Sequence, residues 1–285
     1  MFAKNESMIL LTEREISMAE TTALSPNLGV QVSDVENLLD EVVIAQCLEA
    51  LKWRGVLLIR GVNLDDEQQV AFSRKIGEVV SQRDQEIFKV SLDPTVNPLS
   101  EVLKGTFNWH IDGTYDQVPQ KATTLTARHV AMVGGQTAFA STYAAYENLP
   151  EGERKRIDTL RVVHSFEAAQ RRVFPSPSEK EVAGWRRVPT NEVSLVWRRR
   201  DGRRSMVLGA TADHIVGMDP DESRALLAEL EEWTTQERFR YTHEWREGDL
   251  VVWDNTGMLH RALPYDASSQ RTLHRTTVHG EEAFA

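Results

Sequence analysis

The stretch Asn108-Trp109-His110-Ile111-Asp112-Gly113-Thr114 sets an imidazole and a carboxylate two residues apart. On an extended segment residues i and i+2 point to the same side, so His110 and Asp112 can converge on one ion. Such a pair is two thirds of the two-His-one-carboxylate triad that holds non-haem Fe(II) and leaves coordination positions open. The third ligand has to come from elsewhere. The candidate is His260, in Gly257-Met258-Leu259-His260-Arg261, shortly after Trp253-Asp254-Asn255. Arg271 and Arg275 follow, and if 271–279 is a strand they share one face with Leu273 and Thr277. Burying a guanidinium without an anion is costly, so each calls for a carboxylate, which Arg meets with a planar two-pronged fork. The bland readings are an ordinary His–Asp ion pair on a loop and arginines on the surface of an edge strand. The other six histidines default to structural or exposed roles, and Trp109 and Trp253 to core packing.

These residues need a scaffold of short strands. Residues 34–54 read as an amphipathic helix stopped by Gly55, followed by a buried strand at Val56-Leu57-Leu58-Ile59. A second helix spans 65–76, with Asp65 and Asp66 at its start. From 87 onward the pattern changes to strands: 123–130, 136–140 after the Gly134-Gly135 turn, and 162–166. A hairpin is expected around Asp201-Gly202. Residues 143–160 are helical but broken at Pro150, and 219–234 form a helix with Pro220 in its first turn. Strands return at 239–245, 250–253, 258–262 and 271–279. Residues 1–28 read as an N-terminal arm, and 168–189, with three prolines, as a lid or binding loop. The fold class expected is mainly β with flanking helices around a double-stranded β-helix, or jelly-roll, core, in a single domain over 1–285.

The 285 residues carry a net charge of −10, against non-specific nucleic-acid binding over the whole surface. Between Arg154 and Arg204 there are fourteen Lys/Arg and six Asp/Glu, so that segment is +8 and the remainder −18. It reads as a solvated cationic face, or more sharply as a partner surface or a mouth for anionic small molecules. The single cysteine, Cys47, precludes an internal disulfide and points to a reducing, cytoplasmic setting. No apolar run is long enough to span a membrane, and assembly as a homo-oligomer is expected.

Taken together, His110-x-Asp112, Gly134-Gly135-Gln136-Thr137, Trp253-Asp254-Asn255, His260, Arg271 and Arg275 resemble the Fe(II)/2-oxoglutarate-dependent dioxygenases of the taurine dioxygenase and chlorophenoxyacetate dioxygenase family, over about 56–278. The resemblance implies that His110, Asp112 and His260 bind Fe(II), and that Thr137 and Arg271 hold the distal carboxylate of 2-oxoglutarate. It implies that Arg275 faces the metal and the acidic group of the primary substrate. The co-substrate would chelate the metal through its keto oxygen and C1 carboxylate, O2 would take the last position, and succinate and CO2 would leave as the substrate is oxidised. The family's pocket maps to 82–88, Thr106 and Phe107, Thr114 and Tyr115, and 168–187. Members acting on taurine are expected to have a His ahead of the motif, and none occurs before His110. The substrate expected is a small, carboxylate-bearing organic anion with an apolar or aromatic body against Phe88, Phe107 and Tyr115, hydroxylated or oxidatively cleaved. An alkyl sulfate or sulfonate dioxygenase is the alternative. A non-catalytic jelly-roll metal- or ligand-binding protein is the alternative from another class.

Overall fold

The computed structural model describes residues 19–81 and 85–284. A seven-stranded sheet runs, in spatial order, Glu20–Ala23, Val30–Ser33, Val56–Ile59, Leu250–Asp254, Ala122–His129, Thr272–Val278 and Phe88–Val90. A three-stranded sheet, ordered Arg240–His243, Thr137–Ser141 and Met258–Ala262, contributes the other wall of the site. Two smaller sheets complete the set: Ala212–Ile215 with Arg161–His164 and Asn191–Ser194, and the hairpin Val196–Arg198 with Arg204–Met206. Among the described residues eight α-helices occupy about as much chain as the fifteen strands. The architecture is therefore mixed α/β with several sheets, richer in helix than a strand-dominated reading expects.

The large sheet is apolar on both faces, which explains the unbroken Val-Leu-Leu-Ile run. Leu57, Ile59, Leu250, Val252 and Val278 pack outward onto Val43, Ile44, Cys47 and Leu51 of the helix Glu41–Arg54 and Phe72 and Ile76 of the helix Asp66–Ile76. Val56, Leu58, Leu125, Val251, Trp253 and Leu273 face inward onto Phe139 and Met258 of the three-stranded sheet. Burying each such side chain is worth about 1.5–3 kcal/mol, so a one-residue slip that turned a strand over would forfeit several of them at once. The same alternation places His260, paired opposite Phe139, on the inward face, while Leu259, Ala138 and Ala140 turn to a third cluster under the helix Pro220–Thr234.

Local signals set the boundaries. Asp40 caps the first helix at the Val42 amide, so it begins at Glu41 and not in the polar stretch from 34; Gly55, with φ of 69°, ends it. Asp65 and Gln68 form a reciprocal capping box at the second. Two expectations change. Of the proposed arm, residues 1–18 lie outside the described residues, but Glu20–Ala23 is an edge strand paired with Val30–Ser33, and Leu28 is fully buried, so this part is tied to the body of the fold. The 168–189 connection is not an open loop throughout but carries two short helices: Phe166–Arg171 is capped by Ser165, and Glu179–Trp185 by a Ser178–Glu181 capping box. Pro175 and Pro177 merely separate the two, and Phe174 stacks on Trp185 at 6.2 Å.

Candidate active site

His110 follows the turn Lys104–Phe107 and enters the three-stranded sheet by an isolated antiparallel bridge. Its amide donates to the His260 carbonyl at 3.0 Å, and the His260 amide returns a bond to the His110 carbonyl at 2.9 Å. Two residues 150 apart in sequence are thus fixed by main chain before any side chain is considered, with ring centroids 4.2 Å apart. Gly209 makes room for this: with φ of +105°, a Cβ there would lie 2.7 Å from the Trp109 carbonyl oxygen and 2.9 Å from the His110 Cα.

One ligand atom from each of His110, Asp112 and His260 lies within 4.8 Å of the others, an arrangement able to hold a metal ion. Asp112 reaches toward both rings, Oδ1 at 3.7 Å from His110 Nε2 and Oδ2 at 3.6 Å from His260 Nε2. His110 Nδ1 lies 2.8 Å from the Asn108 carbonyl; as the donor there, it leaves the Nε2 lone pair to the site. Burial, reinforced by the neighbouring His260 and opposed by Asp112, pulls the His110 pKa down to about 4. Burial alone would raise Asp112, but His260, Arg275 and His110 outweigh it and hold the carboxyl well below the usual range. A neutral imidazole and an ionised carboxylate are the states that coordinate a divalent ion.

The two arginines occupy different surroundings. Arg271 is 2 % exposed, and its Nη1 has no hydrogen-bond partner. It forms no ion pair among the described residues; its guanidinium lies 4.5 Å from the Tyr265 ring centroid, and burial lowers its pKa. Gly135, at φ +73°, allows this seat, since a Cβ there would sit 2.8 Å from Arg271 Cδ and Nε. Such a cation, desolvated and unpaired, is a cradle for an anion. Thr137, also buried, accepts a 2.9 Å bond from Trp245 Nε1. Arg275 instead stands beside the triad, Nη1 3.8 Å from Asp112 Oδ2 and its guanidinium 4.9 Å from the Phe88 ring centroid.

Arg275 and Thr277 open onto a cleft of about 1080 Å³ between the helix Asp66–Ile76 and residues 85–99. Its apolar lining is Val70, Val80, Ile87, Phe88, Val96, Pro98 and Leu99. Of the pocket residues expected from sequence, Gln85, Glu86, Ile87 and Phe88 line the cleft, and 82–84 lie outside the described residues. Thr106, Phe107 and Tyr115 are not in its lining: the Thr106 hydroxyl turns back to the Leu103 carbonyl, Phe107 meets Tyr265 edge-on at 6.1 Å, and Tyr115 meets Phe166 edge-on at 6.2 Å. The basic segment does not form the mouth either. Its charges are largely taken up in exposed pairs such as Arg161–Glu192, Arg171–Glu167, Arg186–Glu167 and Arg204–Asp158. Residues the sequence reading passed over include Tyr265, Trp245, Thr123, Gly209 and the 96–99 wall.

The donor set of His110, Asp112 and His260, one ionised carboxylate and two imidazoles on one point, fits a divalent metal. The comparisons specify the family. The family model for "Taurine catabolism dioxygenase TauD, TfdA family" matches residues 18–277, and the chain belongs to that family. It is 34 % identical to the alpha-ketoglutarate-dependent 2,4-dichlorophenoxyacetate dioxygenase of Burkholderia sp. (strain RASC), covering 93 % of this chain and 90 % of that one. It is 32 % identical to the (S)-phenoxypropionate/alpha-ketoglutarate-dioxygenase of Sphingobium herbicidovorans, covering 90 % and 91 %. Among solved structures, AAD-2 in complex with Mn(II) and N-oxalylglycine superposes with a TM-score of 0.80 at 29 % identity, covering 94 % of this chain and all of that one. The protein is an alpha-ketoglutarate-dependent dioxygenase with its metal site at His110, Asp112 and His260, for Fe(II) by family. The reading as a non-catalytic binding module gives way to this assignment. No described helix is long and apolar enough to cross a membrane.

Proposed function

We propose that this dioxygenase oxidises a small organic carboxylate with an apolar or aromatic body, of the phenoxyalkanoate kind, by hydroxylation or by a cleavage that begins as hydroxylation. The observation that carries this reading is the division of labour between the arginines. Arg271, buried and unpaired, holds the distal carboxylate of 2-oxoglutarate in a fork, with the Thr137 hydroxyl as a further donor. Arg275, beside Asp112 and open to the cleft, receives the acidic group of the substrate. Val80, Ile87, Phe88, Val96 and Leu99 then bury the apolar body, and the relatives' substrates have that shape. Phe107 acts at one remove, buttressing Tyr265 against Arg271. Fe(II) with 2-oxoglutarate and O2 supplies the oxidising equivalents, with succinate and CO2 as by-products. The chain's own task is to hold the substrate C–H near that centre and keep water away. On this reading the two facing sheets are the halves of a jelly roll, working as one dioxygenase domain.

A substrate screen tests this. Succinate release should depend on phenoxyacetates or phenoxypropionates and be weak with alkyl sulfates and taurine. Stronger coupling to a sulfate or sulfonate would move the assignment to that class and leave the co-substrate half of the site unchanged.

A further inference from the structure

Behind the metal-binding carboxylate lies a chain of buried polar groups whose direction can be deduced. Trp253 Nε1 is 2.7 Å from Asn255 Oδ1, Asn255 Nδ2 is 2.8 Å from Thr123 Oγ1, and Thr123 Oγ1 is 3.5 Å from Asp112 Oδ2. Trp253 is 2 % exposed, and Thr123 and Asn255 are fully buried, so none of the three has water as an alternative partner. An indole N–H can only donate. The Asn255 carbonyl oxygen must therefore face Trp253, and its amide nitrogen, which can only donate, must face Thr123. The Thr123 oxygen is then an acceptor on that side, and its one proton is directed at Asp112. Every donor in the series is fixed by the one before it.

Main chain sets the spacing. Trp253 and Thr123 are cross-strand partners, and Asn255 lies just beyond the strand Leu250–Asp254, its amide donating to the Lys121 carbonyl at 3.0 Å. Thr123 and Arg275 project from adjacent strands, and both approach the same oxygen of Asp112, at 3.5 and 3.8 Å.

We propose that Trp253, Asn255 and Thr123 form a one-way hydrogen-bond relay that fixes the orientation of Asp112 by engaging its Oδ2. The three are positioning residues; none touches the metal, the co-substrate or the substrate. A carboxylate free to rotate would present its oxygens to the metal in varying ways, so a hydroxyl proton held on Oδ2 keeps the ligand in one pose. The inference rests on the assignment of His110, Asp112 and His260 as the metal site.

The test uses the full chain, freed of metal, with Mn(II) affinity followed by electron paramagnetic resonance and the visible spectrum of the Co(II)-loaded protein as a second readout. Asn255→Asp keeps the bond from Trp253 but offers Thr123 only an acceptor, turning the hydroxyl proton away from Asp112. Thr123→Val removes the hydroxyl at near-constant volume, and Thr123→Ser keeps it. Asn255→Asp and Thr123→Val should each weaken Mn(II) binding by roughly 10–100-fold, the usual effect of losing a partner behind a metal ligand, and should alter the Co(II) spectrum. Thr123→Ser should match the parent in both. Should Asn255→Asp fail to fold, Thr123→Val decides alone. Parent-like affinity and an unchanged Co(II) spectrum in Thr123→Val overturn the relay. Failure of the parent protein itself to bind Mn(II) would instead overturn the metal-site assignment.

Discussion

The metal end and the cleft end of this site are built in opposite ways. At the metal end, His110 and His260 are locked by two reciprocal main-chain bonds, and Thr123, Asn255, Trp253 and Arg271 are all buried. At the cleft end the walls are a three-residue edge strand, Phe88–Val90, and turns across 93–99, with Val96 and Leu99 exposed. The difference teaches where precision is needed. A metal and a co-substrate used in every turnover require a preorganised seat, whereas a surface proposed to select the substrate can be assembled from pieces that alter without disturbing the sheets.

The contrast is broken most severely at the ligands. His110→Ala or Asp112→Ala should reduce substrate-dependent succinate release below detection, with far-ultraviolet circular dichroism unchanged, because neither side chain belongs to an apolar cluster. Residual turnover near the parent rate would show that the metal lies elsewhere. Next is Arg271→Ala. Losing one partner of a buried charge pair costs about 3–5 kcal/mol, so the 2-oxoglutarate requirement should rise a hundredfold or more, whichever primary substrate is present. Arg275→Ala sharpens the comparison: uncoupled decarboxylation of 2-oxoglutarate should persist while coupled oxidation of the acidic substrate falls.

Gly135→Ala should act between these extremes. Its methyl would press on Arg271 at 2.8 Å and hold an L-residue at φ +73°, a conformation costing about 1–2 kcal/mol. The expected result is a lower melting temperature and a 2-oxoglutarate requirement raised about tenfold, with Mn(II) affinity unaltered. Smallest is Phe88→Ala at the cleft. It should raise the KM for aromatic acids several-fold and leave 2-oxoglutarate dependence alone, as measured by paired titrations.

Acid stability gives a check away from both ends. His164 is fully buried against Thr211, and burial pulls its pKa down to about 4. The unfolded chain takes up that proton near pH 6.5 while the folded chain resists it to about 4, so the contribution is fully present above pH 6.5 and is lost as pH falls through that window. His164→Gln should flatten the fall in melting temperature over the same range.

How much was legible in advance follows from sequence distance. His-x-Asp is local, the strand alternation that aims Arg275 inward is local, and the capping residues of the early helices are local. What was missed depends on partners that meet only in the fold. Trp245 reaches Thr137 across 108 residues and Asn255 reaches Thr123 across 132, and neither spacing leaves a trace in the sequence. The 96–99 wall carries no motif at all. The helices at 166–185 are obscured for a different reason: Pro175 and Pro177 signal a loop, although Ser178 and Glu181 spell a capping box. Thr106, Phe107 and Tyr115 are expected in the pocket from the resemblance to the family, whereas the cleft that Arg275 opens onto is lined by residues from 66–99.

The central claim is that one carboxylate anchor and one metal triad hold the co-substrate together. Anaerobic titration of the Fe(II)-loaded protein with 2-oxoglutarate, followed by the visible charge-transfer absorption of the chelate, measures both at once. The parent and Arg275→Ala should saturate at similar concentrations, Arg271→Ala only at concentrations a hundredfold higher or more, and Asp112→Ala should show no band. A larger shift in Arg275→Ala than in Arg271→Ala would contradict the assignment, and no band from the folded parent protein at saturating ligand would contradict the site itself.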